Sequence, residues 1–599
     1  MQAIARLTLC ILPALALGWR RGSATGHQST SRNRSAHRNP LPLSLESHPT
    51  ASSITPQRTL GHWHADATPP SFDAAGWRDP LSALEAPLFL LWDGERHGVG
   101  MGGQASIGAG ITNGTSGAFD LTGFVPPCPP EALGDPAFRA AHGIRYAYVT
   151  GAMANGIASV ELVETIARSG MLAFFGAAGL QVSQVDAAIH RLKASIGDLP
   201  HGFNLIHSPN EPHLEAAVVD LYLREGVRLV EASAYLDLTL PVVRYRVMGI
   251  RREADGSITA PNKVMAKVSR IEVATKFFAP PPERFLKELV ASGDISTEQA
   301  EWARRIPMAD DLTAEADSGG HTDNRPALTL LPTLIALRDR MQSEHGYATP
   351  LRVGAAGGIG TPESAAAAFA MGAAYIVTGT VNQACIESGS SDLVRAMLAE
   401  TEQADVTMAP AADMFEMGVT VQVLKRGTMF AMRAQKLYEI YRNYGGIEAM
   451  PESERIKLEK TVFRLPMDEV WEQTKRYFQT VDPRQIERGE QDAKHRMALI
   501  FRWYLGQSST WANRGIEDRK IDYQIWCGPV MGAFNEWVRG SFLEEFRNRE
   551  AAVVALNILF GAAYLTRANA VRQQGVPLEA SVVRVEPQPL ATLAGCGTA

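Results

Sequence analysis

The sequence has few of the features that build disulfide-rich, zinc-binding or nucleic-acid-binding proteins. Its 599 residues include only five cysteines, none in a CxxC pair, and no histidine stands near them at ligand spacing. A disulfide framework or a metal site is therefore not expected. The formal net charge is −6 and the pI is about 6.2, whereas a nucleic-acid-binding domain usually presents a basic surface. We therefore expect no nucleic-acid partner.

Long hydrophobic runs are also missing from the body of the chain. A membrane-spanning helix needs about 20 consecutive apolar residues. The best candidate, Ala551 to Leu565, is shorter than this and contains Asn557. We therefore predict a buried or interfacial helix at this place, no membrane span in the mature protein, and a soluble product.

Acidic residues are missing from the N-terminal segment, which contains none before Glu46. Arg6 precedes an apolar run from Leu7 to Trp19, and a stretch rich in Ser, Arg and His follows. This pattern is typical of a targeting sequence of the secretory or bipartite plastid type. A disordered tail from a misassigned start codon is the alternative. Residues 1–50 are therefore predicted to be a leader or a tail, with a plastid, another organelle or the cytoplasm as the destination.

Eight apolar, strand-like segments alternate with amphipathic helical segments from about residue 143 onward. Near-continuous apolar runs are typical of parallel strands that are buried on both faces. The predicted strands are Ile144–Gly151, Leu172–Ala177, Gly202–Ile206, Arg228–Ser233, Val264–Ser269, Asp311–Ala316, Leu351–Ala356 and Tyr375–Thr380. Eight β/α units in about 260 residues is the size of a (β/α)₈ TIM barrel. We therefore place the chain in the α/β class, with a doubly wound open sheet as the alternative.

The segments around the barrel differ from it in composition. Residues 51–140 are rich in Pro, Gly and turn signals and are predicted to form a small N-terminal β-containing domain. Residues 141–410 hold the predicted barrel, 411–575 a C-terminal helical domain, and 576–599 a tail. The dense aromatic residues of the helical domain are expected to form its core or to line a substrate tunnel.

One barrel connection, residues 270–310 after the fifth strand, is oversized. We place it on the same face as the active-site loops, either as a lid or substrate wall or as a passive insertion. Several barrel helices begin at residues that suit an N-cap, and we predict caps at Ser159, Ser183 and Thr361.

Two glycine segments stand at the ends of the last two predicted strands. Gly357 and Gly358 follow the seventh strand and lead into a helix, and Gly379 and Thr380 follow the eighth. Glycine lets the backbone approach a phosphate closely, and free N–H groups at a helix N-terminus favour an anion. Barrels often bind phosphate with the loops after strands seven and eight. Together the two segments predict a phosphate site.

The segment Gly319-Gly320-His321 follows the sixth strand, at the mouth of the predicted barrel. Imidazole is the side chain best suited to exchange protons near neutral pH. His321, on this flexible loop, is therefore a candidate for catalytic proton transfer. The alternative is a loop histidine that is hydrogen-bonded to a carboxylate such as Asp323 and has no catalytic role.

Two polar residues stand inside apolar strands. Lys267 is in the fifth strand, and a buried lysine is costly unless it is paired or contacts an anionic group. It is expected to face the electron-rich atoms of a bound flavin or to form a salt bridge with Glu231 or Glu315. Asn204, in the third strand, suits the edge of a heterocycle, and a satisfied core asparagine is the alternative.

The end of the first strand supplies small residues and free backbone groups. Gly151, Ala152 and Met153 stand where a flat isoalloxazine ring could lie. Cys385 follows the eighth strand, and a role as a covalent nucleophile is a minor hypothesis for it.

Longer strings of the sequence resemble a known family. The GGH segment, AAGGIGTPE (355–363) and VTGT (377–380) resemble the nitronate monooxygenase (2-nitropropane dioxygenase) superfamily of FMN barrels. The strings GAMANGIAS (151–159), FNLIHSPNEP (203–212), EADSGGHTDNRP (315–326), ADMFEMGVTVQVLKRGT (412–428) and DYQIWCGPVMGAFNEWVRGS (522–541) resemble PfaD-type trans-acting enoyl reductases of polyunsaturated fatty acid and polyketide synthases. The resemblance covers roughly residues 60–570. In that family the C-terminal helices are similar to a helical insert of malonyltransferase-like proteins.

The resemblance implies an FMN-dependent enoyl reductase that acts on small acyl substrates bound to an acyl-carrier-protein domain. Hydride would pass from NADPH through FMN to the β-carbon of an enoyl thioester, and His321 would protonate the α-carbon. The implied FMN-binding residues are Gly151, Ala152, Met153, Asn204, Lys267, Gly319, Gly320, Gly357, Gly358, Gly379 and Thr380.

Two other functions are compatible with the same residues. One is a flavoenzyme of nitronate monooxygenase type that uses O₂, in which His321 would abstract a proton. The other is a non-catalytic scaffold of a synthase complex. The sequence leaves open the acyl chain length, the position of the double bond and the oligomeric state, for which a homodimer is one option.

Overall fold

The computed structural model describes residues 59–108, 117–207 and 212–595, so the predicted leader at 1–50 lies outside the described residues. The strands are β1 (Gly61–His64), β2 (Leu88–Trp92), β3 (His97–Gly100), β4 (Gln104–Ile107), β5 (Ala118–Val125), β6 (Tyr148–Thr150), β7 (Leu172–Phe175), β8 (Gly202–Ile206), β9 (Leu229–Ser233), β10 (Arg251–Arg252), β11 (Ile258–Thr259), β12 (Lys263–Val268), β13 (Asp311–Glu315), β14 (Gly320–His321), β15 (Arg352–Ala356), β16 (Ile376–Thr378), β17 (Val406–Pro410) and β18 (Thr420–Leu424).

The α-helices connect these strands and make up most of the C-terminal part. They are α1 (Arg78–Ser82), α2 (Pro136–His142), α3 (Val160–Arg168), α4 (Val182–Ile196), α5 (Pro212–Glu225), α6 (Leu240–Val247), α7 (Ile271–Phe278), α8 (Glu283–Ser292), α9 (Thr297–Ala303), α10 (Ala327–His345), α11 (Pro362–Ala370), α12 (Thr380–Gln383), α13 (Asp392–Ala399), α14 (Phe430–Asn443), α15 (Glu452–Leu458), α16 (Met467–Val481), α17 (Arg484–Gln491), α18 (Ala493–Arg514), α19 (Val530–Val538), α20 (Ala551–Gln573), α21 (Ala580–Val583) and α22 (Leu590–Gly595).

Eight parallel strands close into a barrel in the order β6, β7, β8, β9, β12, β13, β15 and β16, and β16 pairs with β6 again. These are the eight strands that the apolar runs predict, so the (β/α)₈ barrel is confirmed and the open-sheet alternative is wrong. Every residue of β7 and of β15 is buried. Burial on both faces explains why these runs are mostly apolar instead of alternating, with Arg352 at the start of β15 as a charged exception.

Two of the three predicted helix caps are present. The Ser159 hydroxyl accepts a hydrogen bond from the Leu162 amide at 3.0 Å, and the Thr361 hydroxyl caps α11. Ser183 is not a cap, because α4 begins after Gln181, whose amide donates to the Gln184 side chain at 3.0 Å. A glutamine N-cap is outside the usual preference for short polar side chains, so the sequence rule chose the wrong residue.

The long connection between β12 and β13 does not reach the active-site face. Helix α7 follows β12 directly and returns the chain to the opposite end of the barrel, so α8 and α9 lie in the segment that leads into β13. None of the described residues 279–310 lines the cavity at the carboxyl ends of the strands. The expected lid or substrate wall is therefore wrong at this place, and the segment is a passive insertion.

An antiparallel sheet precedes the barrel, with its strands in the order β3, β2, β5, β1 and β4. Its own small core contains Trp63, Leu91 and Leu121. The connection between β1 and β2 contacts α20, because the Arg567 guanidinium donates to the carbonyl groups of Ala83 and Ala86. The prediction of a small β-containing part ahead of the barrel is thus reflected in the structure.

Helix α20 is the long apolar helix that the sequence predicts from residue 551. It extends to Gln573, and within the described part of the chain it is the one helix long and apolar enough to cross a membrane. However, 78% of its most apolar window is buried inside the protein. Gly561 permits close packing on α11, since an added Cβ would lie 2.6 Å from the Cγ of Pro362. The helix thus belongs to the protein core.

The C-terminal helices surround an aromatic core of their own. This core includes Phe415, Phe430, Phe463, Phe501 and Tyr504. A small antiparallel sheet of β14, β18 and β17 joins this region to the barrel, because β14 is the segment that follows β13. Residue Val423 of β18 also bridges to Trp526.

A buried charge cluster closes the amino-terminal end of the barrel. Arg352 donates to both carboxylate oxygens of Asp311, at 2.5 and 3.0 Å, and the ring of His142 lies 2.8 Å from the same carboxylate. Burial alone would raise the pKa of Asp311, but His142 and Arg352 hold it well below its ordinary value. We name these three side chains the lower cluster.

Candidate active site

A cavity of about 1150 Å³ opens at the carboxyl ends of the barrel strands. Every residue that the sequence analysis proposed for the site lies on its wall: Gly151, Ala152, Met153, Asn204, Lys267, Gly319, Gly320, His321, Gly357, Gly358, Gly379 and Thr380. The parallel strands explain this convergence, because their carboxyl ends meet at one face of a barrel. The structure therefore brings the candidate residues together, while their individual roles stay predictions.

The two glycine segments have the form of an anion cradle. Gly358 has a φ of +73°, and a Cβ added to Gly358 or to Gly379 would meet no atom within 4 Å. Among the described residues, no protein acceptor is found for the amides of these two glycines. Gly357 is different, because a Cβ there would lie 2.6 Å from the Ala316 backbone. Gly357 thus shapes the turn, and Gly358 and Gly379 leave room for a phosphate.

A lysine between two carboxylates lies at the base of the cavity. The Nζ of Lys267 is 3.3 Å from Glu315 and 3.8 Å from Glu231. The Glu231 side chain is fully buried, and its Oε2 accepts a hydrogen bond from the Ala152 amide at 3.1 Å. Its Oε1 has no hydrogen-bond partner among the described residues. We name Lys267, Glu231 and Glu315 the upper cluster.

The charges of the upper cluster are not balanced. Burial disfavours the ammonium of Lys267, but Glu231 and Glu315 outweigh burial and raise its pKa above the ordinary value. Burial raises the pKa of Glu231, and Lys267 offsets only part of this. The salt-bridge interpretation of Lys267 is thus confirmed. Lys267 also lines the cavity, and its contact with a flavin stays a prediction.

His321 is held in a strand and not in a flexible loop. Residues Gly320 and His321 form β14, which pairs with Val421 and Gln422 of β18. The Nε2 of His321 lies 3.2 Å from the Oδ1 of Asp413, in the connection between β17 and β18. The imidazole is about one third exposed, toward the cavity. The ring therefore has a fixed position and an open side.

Asp413 sets the protonation of His321. Burial disfavours the imidazolium, but Asp413 outweighs burial and raises the pKa of His321 above its ordinary value. Burial likewise opposes the Asp413 carboxylate, but His321 keeps the pKa of Asp413 below its ordinary value. The suggested partner Asp323 is wrong, because that carboxylate binds Arg270 at 2.8 Å.

Asn204 is held by hydrogen bonds of its side chain, and Gly319 lies close to the backbone of the C-terminal region. Asn204 donates to the Glu231 carbonyl at 3.1 Å and to the Ser233 hydroxyl at 3.2 Å, so its amide nitrogen is satisfied within the barrel. A Cβ on Gly319 would lie 2.9 Å from the Cys527 amide nitrogen. Gly319 therefore allows the C-terminal region to approach the barrel mouth closely.

Cys385 does not belong to the site. Its side chain is fully buried, its thiol donates to the Val381 carbonyl at 3.3 Å, and burial raises its pKa. It does not line the cavity. The minor hypothesis of a covalent nucleophile is therefore wrong.

The sequence analysis missed Asp413 and the second wall of the cavity. Asp413 is 92 positions from His321 in the chain, and only the string ADMFEMGVTVQVLKRGT pointed to its segment. The second wall comes from α16 and α18, with aromatic side chains such as Tyr477 and Trp503, and Trp526, between α18 and α19, also lines the cavity. The expected aromatic core of the helical region is confirmed, and a substrate tunnel lined by aromatic residues stays a prediction.

FMN fits the groups on this wall. An isoalloxazine ring carries carbonyl acceptors, which suit the Lys267 ammonium on the cavity wall. Glu231 is fully buried and does not line the cavity, but it pairs with Lys267. The FMN phosphate suits the free amides at Gly358 and Gly379. The imidazole of His321 lines the same cavity.

Comparison with known proteins supports this assignment of the fold. The sequence profile described as Nitronate monooxygenase matches residues 136–440, and the profile described as [Acyl-carrier-protein] S-malonyltransferase, inserted helical domain, matches residues 444–523. The enoyl reductase domain of MlnA from Bacillus amyloliquefaciens is 39% identical, with a TM-score of 0.70; the match covers 74% of this chain and 100% of that domain.

Two curated relatives are larger proteins. A polyunsaturated fatty acid synthase protein of Thraustochytrium sp. is 48% identical over 82% of this chain, and this chain spans 32% of its length. Polyketide biosynthesis protein PksE of Bacillus subtilis is 44% identical over 73% of this chain, which spans 56% of its length. The resemblance inferred from the motifs is confirmed, and the chain belongs to the nitronate monooxygenase family of oxidoreductases, in the branch that contains these synthase proteins.

Proposed function

We propose that the protein is an FMN-dependent enoyl reductase that acts in trans on enoyl chains bound to an acyl-carrier-protein domain. The observation that carries the proposal is one cavity that joins the anion cradle, the upper cluster and the His321–Asp413 pair. Relatives named as fatty acid synthase, polyketide and enoyl reductase proteins support the substrate class.

The proposed reaction saturates one carbon–carbon double bond. The thioester's β-carbon receives a hydride, the α-carbon receives a proton, and NADPH becomes NADP⁺. FMN, when bound, supplies the hydride that it accepts from NADPH.

The residues of this chain hold the reactants and deliver the proton. Gly358 and Gly379 leave their amides free for the FMN phosphate, and Lys267, which pairs with Glu231 and Glu315, orients the ring. His321 donates the proton, and its raised pKa favours the charged form that does so. Asp413 holds the imidazole in place and favours its charged form.

The proposal differs from an oxygen-using nitronate monooxygenase in the role of His321. In the proposed reaction His321 gives up a proton, whereas in a nitronate monooxygenase it would abstract one. Asp413 raises the pKa of His321 and so favours its charged form, and assays with both substrates distinguish the two functions.

The test uses the purified full chain. Bound flavin is identified by absorbance and mass, anaerobic NADPH oxidation is measured with a trans-enoyl acyl-carrier-protein, and oxygen uptake is measured with a nitroalkane. We expect enoyl-dependent turnover without oxygen. Oxygen uptake with the nitroalkane alone would contradict the proposal, and absence of bound flavin would favour the scaffold hypothesis.

The variant His321→Ala tests the proposed acid. Loss of a general acid lowers turnover by about 10²–10⁴-fold. We expect such a loss in kcat with the flavin content unchanged. A variant that loses its flavin instead would make His321 a structural residue.

A further inference from the structure

The second wall of the cavity is one continuous face of two helices. The lining residues repeat every three or four positions, as residues on one side of a helix do. Examples are Gln473, Arg476 and Thr480 on α16, and Trp503, Gln507 and Thr510 on α18. The lining face of α18 runs from Leu499 to Thr510, which is about 16 Å along the helix axis.

The cavity is larger than one ligand needs. Pockets for a single drug-sized ligand measure about 300–1,000 Å³, and this cavity measures about 1150 Å³. The anion cradle and the upper cluster occupy the barrel end, so the helical wall bounds the space that remains for a second ligand.

Gly506 keeps this space open in the middle of α18. Glycine weakens the interior of a helix relative to alanine. Here no close neighbour requires it, because a Cβ added to Gly506 would meet no atom within 4 Å, and the residue lies on the cavity wall. The missing side chain therefore widens the cavity between the two helices.

Arg476 places a positive charge at the outer end of the wall. Its side chain is exposed, and it has no ion pair among the described residues. The nearest lining carboxylate in sequence, Asp482, is already bound by Arg484 at 2.7 Å. An unpaired guanidinium at the mouth of a cavity is suited to an anionic group, and its planar donors match a phosphate.

We propose that this face of α16 and α18 binds a phosphopantetheine-type arm that carries the acyl thioester. The proposal rests on the proposed function and deepens it. Arg476 binds the phosphate at the mouth, and the side chains of Gln473, Gln507 and Thr510 bind the amide and hydroxyl groups of the arm. Gly506 gives the arm its passage toward His321.

The first test removes the phosphate contact. Arg476→Ala is compared with wild type on two small substrates, an enoyl-phosphopantetheine and the matching enoyl-pantetheine without phosphate. We expect KM for the phosphorylated substrate to rise about five- to tenfold in the variant, as for loss of one charged hydrogen bond. KM for the pantetheine substrate and for NADPH stays unchanged.

The matched control is Lys475→Ala, which removes the neighbouring cation of α16. Lys475 pairs with Glu472 and does not line the cavity, so its loss leaves both KM values unchanged. A rise in KM for NADPH in Arg476→Ala, without a rise for the phosphorylated thioester, would assign the phosphate contact to the reductant and overturn the proposal. Equal KM values for the two thioesters in wild type would also overturn it.

The second test fills the passage. Gly506→Leu places a side chain in open space without forcing the helix backbone. We expect kcat/KM for the enoyl acyl-carrier-protein to fall at least about tenfold, while NADPH still reduces the bound flavin at the wild-type rate. Asn513→Leu, on the same helix but off the cavity wall, keeps wild-type kcat/KM. Wild-type kcat/KM in Gly506→Leu would contradict the proposed channel.

The two proposals fail in distinguishable ways. If no enoyl thioester is reduced, the proposed function is wrong. If enoyl-pantetheine is reduced but the phosphate and Gly506 have no influence, only the assignment of the helical wall is wrong.

Discussion

The two ends of the barrel carry buried clusters of ionisable side chains that differ in composition. In the lower cluster, one carboxylate, Asp311, lies between the guanidinium of Arg352 and the imidazole of His142. In the upper cluster, one cation, Lys267, lies between two carboxylates, Glu231 and Glu315. The lower cluster is closed off by protein, whereas the upper cluster opens onto the cavity.

The difference shows how similar residues stabilise a fold at one end and prepare a binding site at the other. Both oxygens of Asp311 have partners, so the lower cluster needs nothing further. The upper cluster leaves the Oε1 of Glu231 unpartnered among the described residues, which is costly for a buried carboxylate. Lys267 and Glu315 of this cluster line the cavity, so a charged pair at the upper end is open to a ligand.

The largest expected effect comes from breaking the lower cluster with Asp311→Asn. Removal of one partner from a buried ion pair leaves an uncompensated charge and destabilises a protein by about 3–5 kcal/mol. We expect such a decrease in the free energy of unfolding, measured by urea denaturation. The reason is that the buried guanidinium of Arg352 loses the carboxylate to which it donates two hydrogen bonds. A loss below about 1 kcal/mol would show that the cluster is not structural.

A smaller effect is expected at the cavity from Asp413→Asn. The amide can still hydrogen-bond to His321 but no longer supports its charge, so the pKa of His321 falls. Since the acid form of His321 is required, the alkaline limb of kcat/KM moves to lower pH, by about one pH unit. The control Asp323→Asn, whose carboxylate binds Arg270 instead, leaves that limb in place. An unmoved limb in Asp413→Asn would remove Asp413 from the proposed mechanism.

The smallest change in stability is expected from Glu231→Gln in the upper cluster. In this variant Lys267 still pairs with the Glu315 carboxylate at 3.3 Å, so its charge remains compensated. The carboxylate that is removed, Glu231, is one whose charged form burial disfavours. We expect the unfolding free energy of the flavin-free protein to change by no more than about 1 kcal/mol, while FMN binds more weakly by fluorescence titration. A loss as large as that of Asp311→Asn would mean that the two clusters do not differ.

Most of the barrel could be predicted from the sequence, because strands that are buried on both faces are recognisable as nearly continuous apolar runs. All eight strands follow from apolar runs such as Leu172–Phe175. The predictions that were wrong concern features that tertiary packing determines. The Gln181 cap replaced Ser183, and the insertion after α7 lies at the far end of the barrel, which a count of residues between strands does not indicate.

The candidate site was predictable where its residues follow barrel strands. Gly358, Gly379 and His321 stand just after strand ends, and chain position alone brings such residues to one mouth. Asp413 and Gly506 come from outside the barrel, and no local pattern relates them to it. Their role depends on how the C-terminal helices dock, which is a property of the folded chain.

The pairing of His321 with β18, and of β18 with Trp526, has a consequence for the synthesis of the chain. On the ribosome the eight barrel strands emerge before β18 and well before Trp526. All eight barrel strands are thus synthesised before the strand that fixes His321. Completion of the cavity mouth therefore requires residues made late in synthesis, and a chain terminated after the barrel would lack the contacts that hold His321 even if its eight strands had closed.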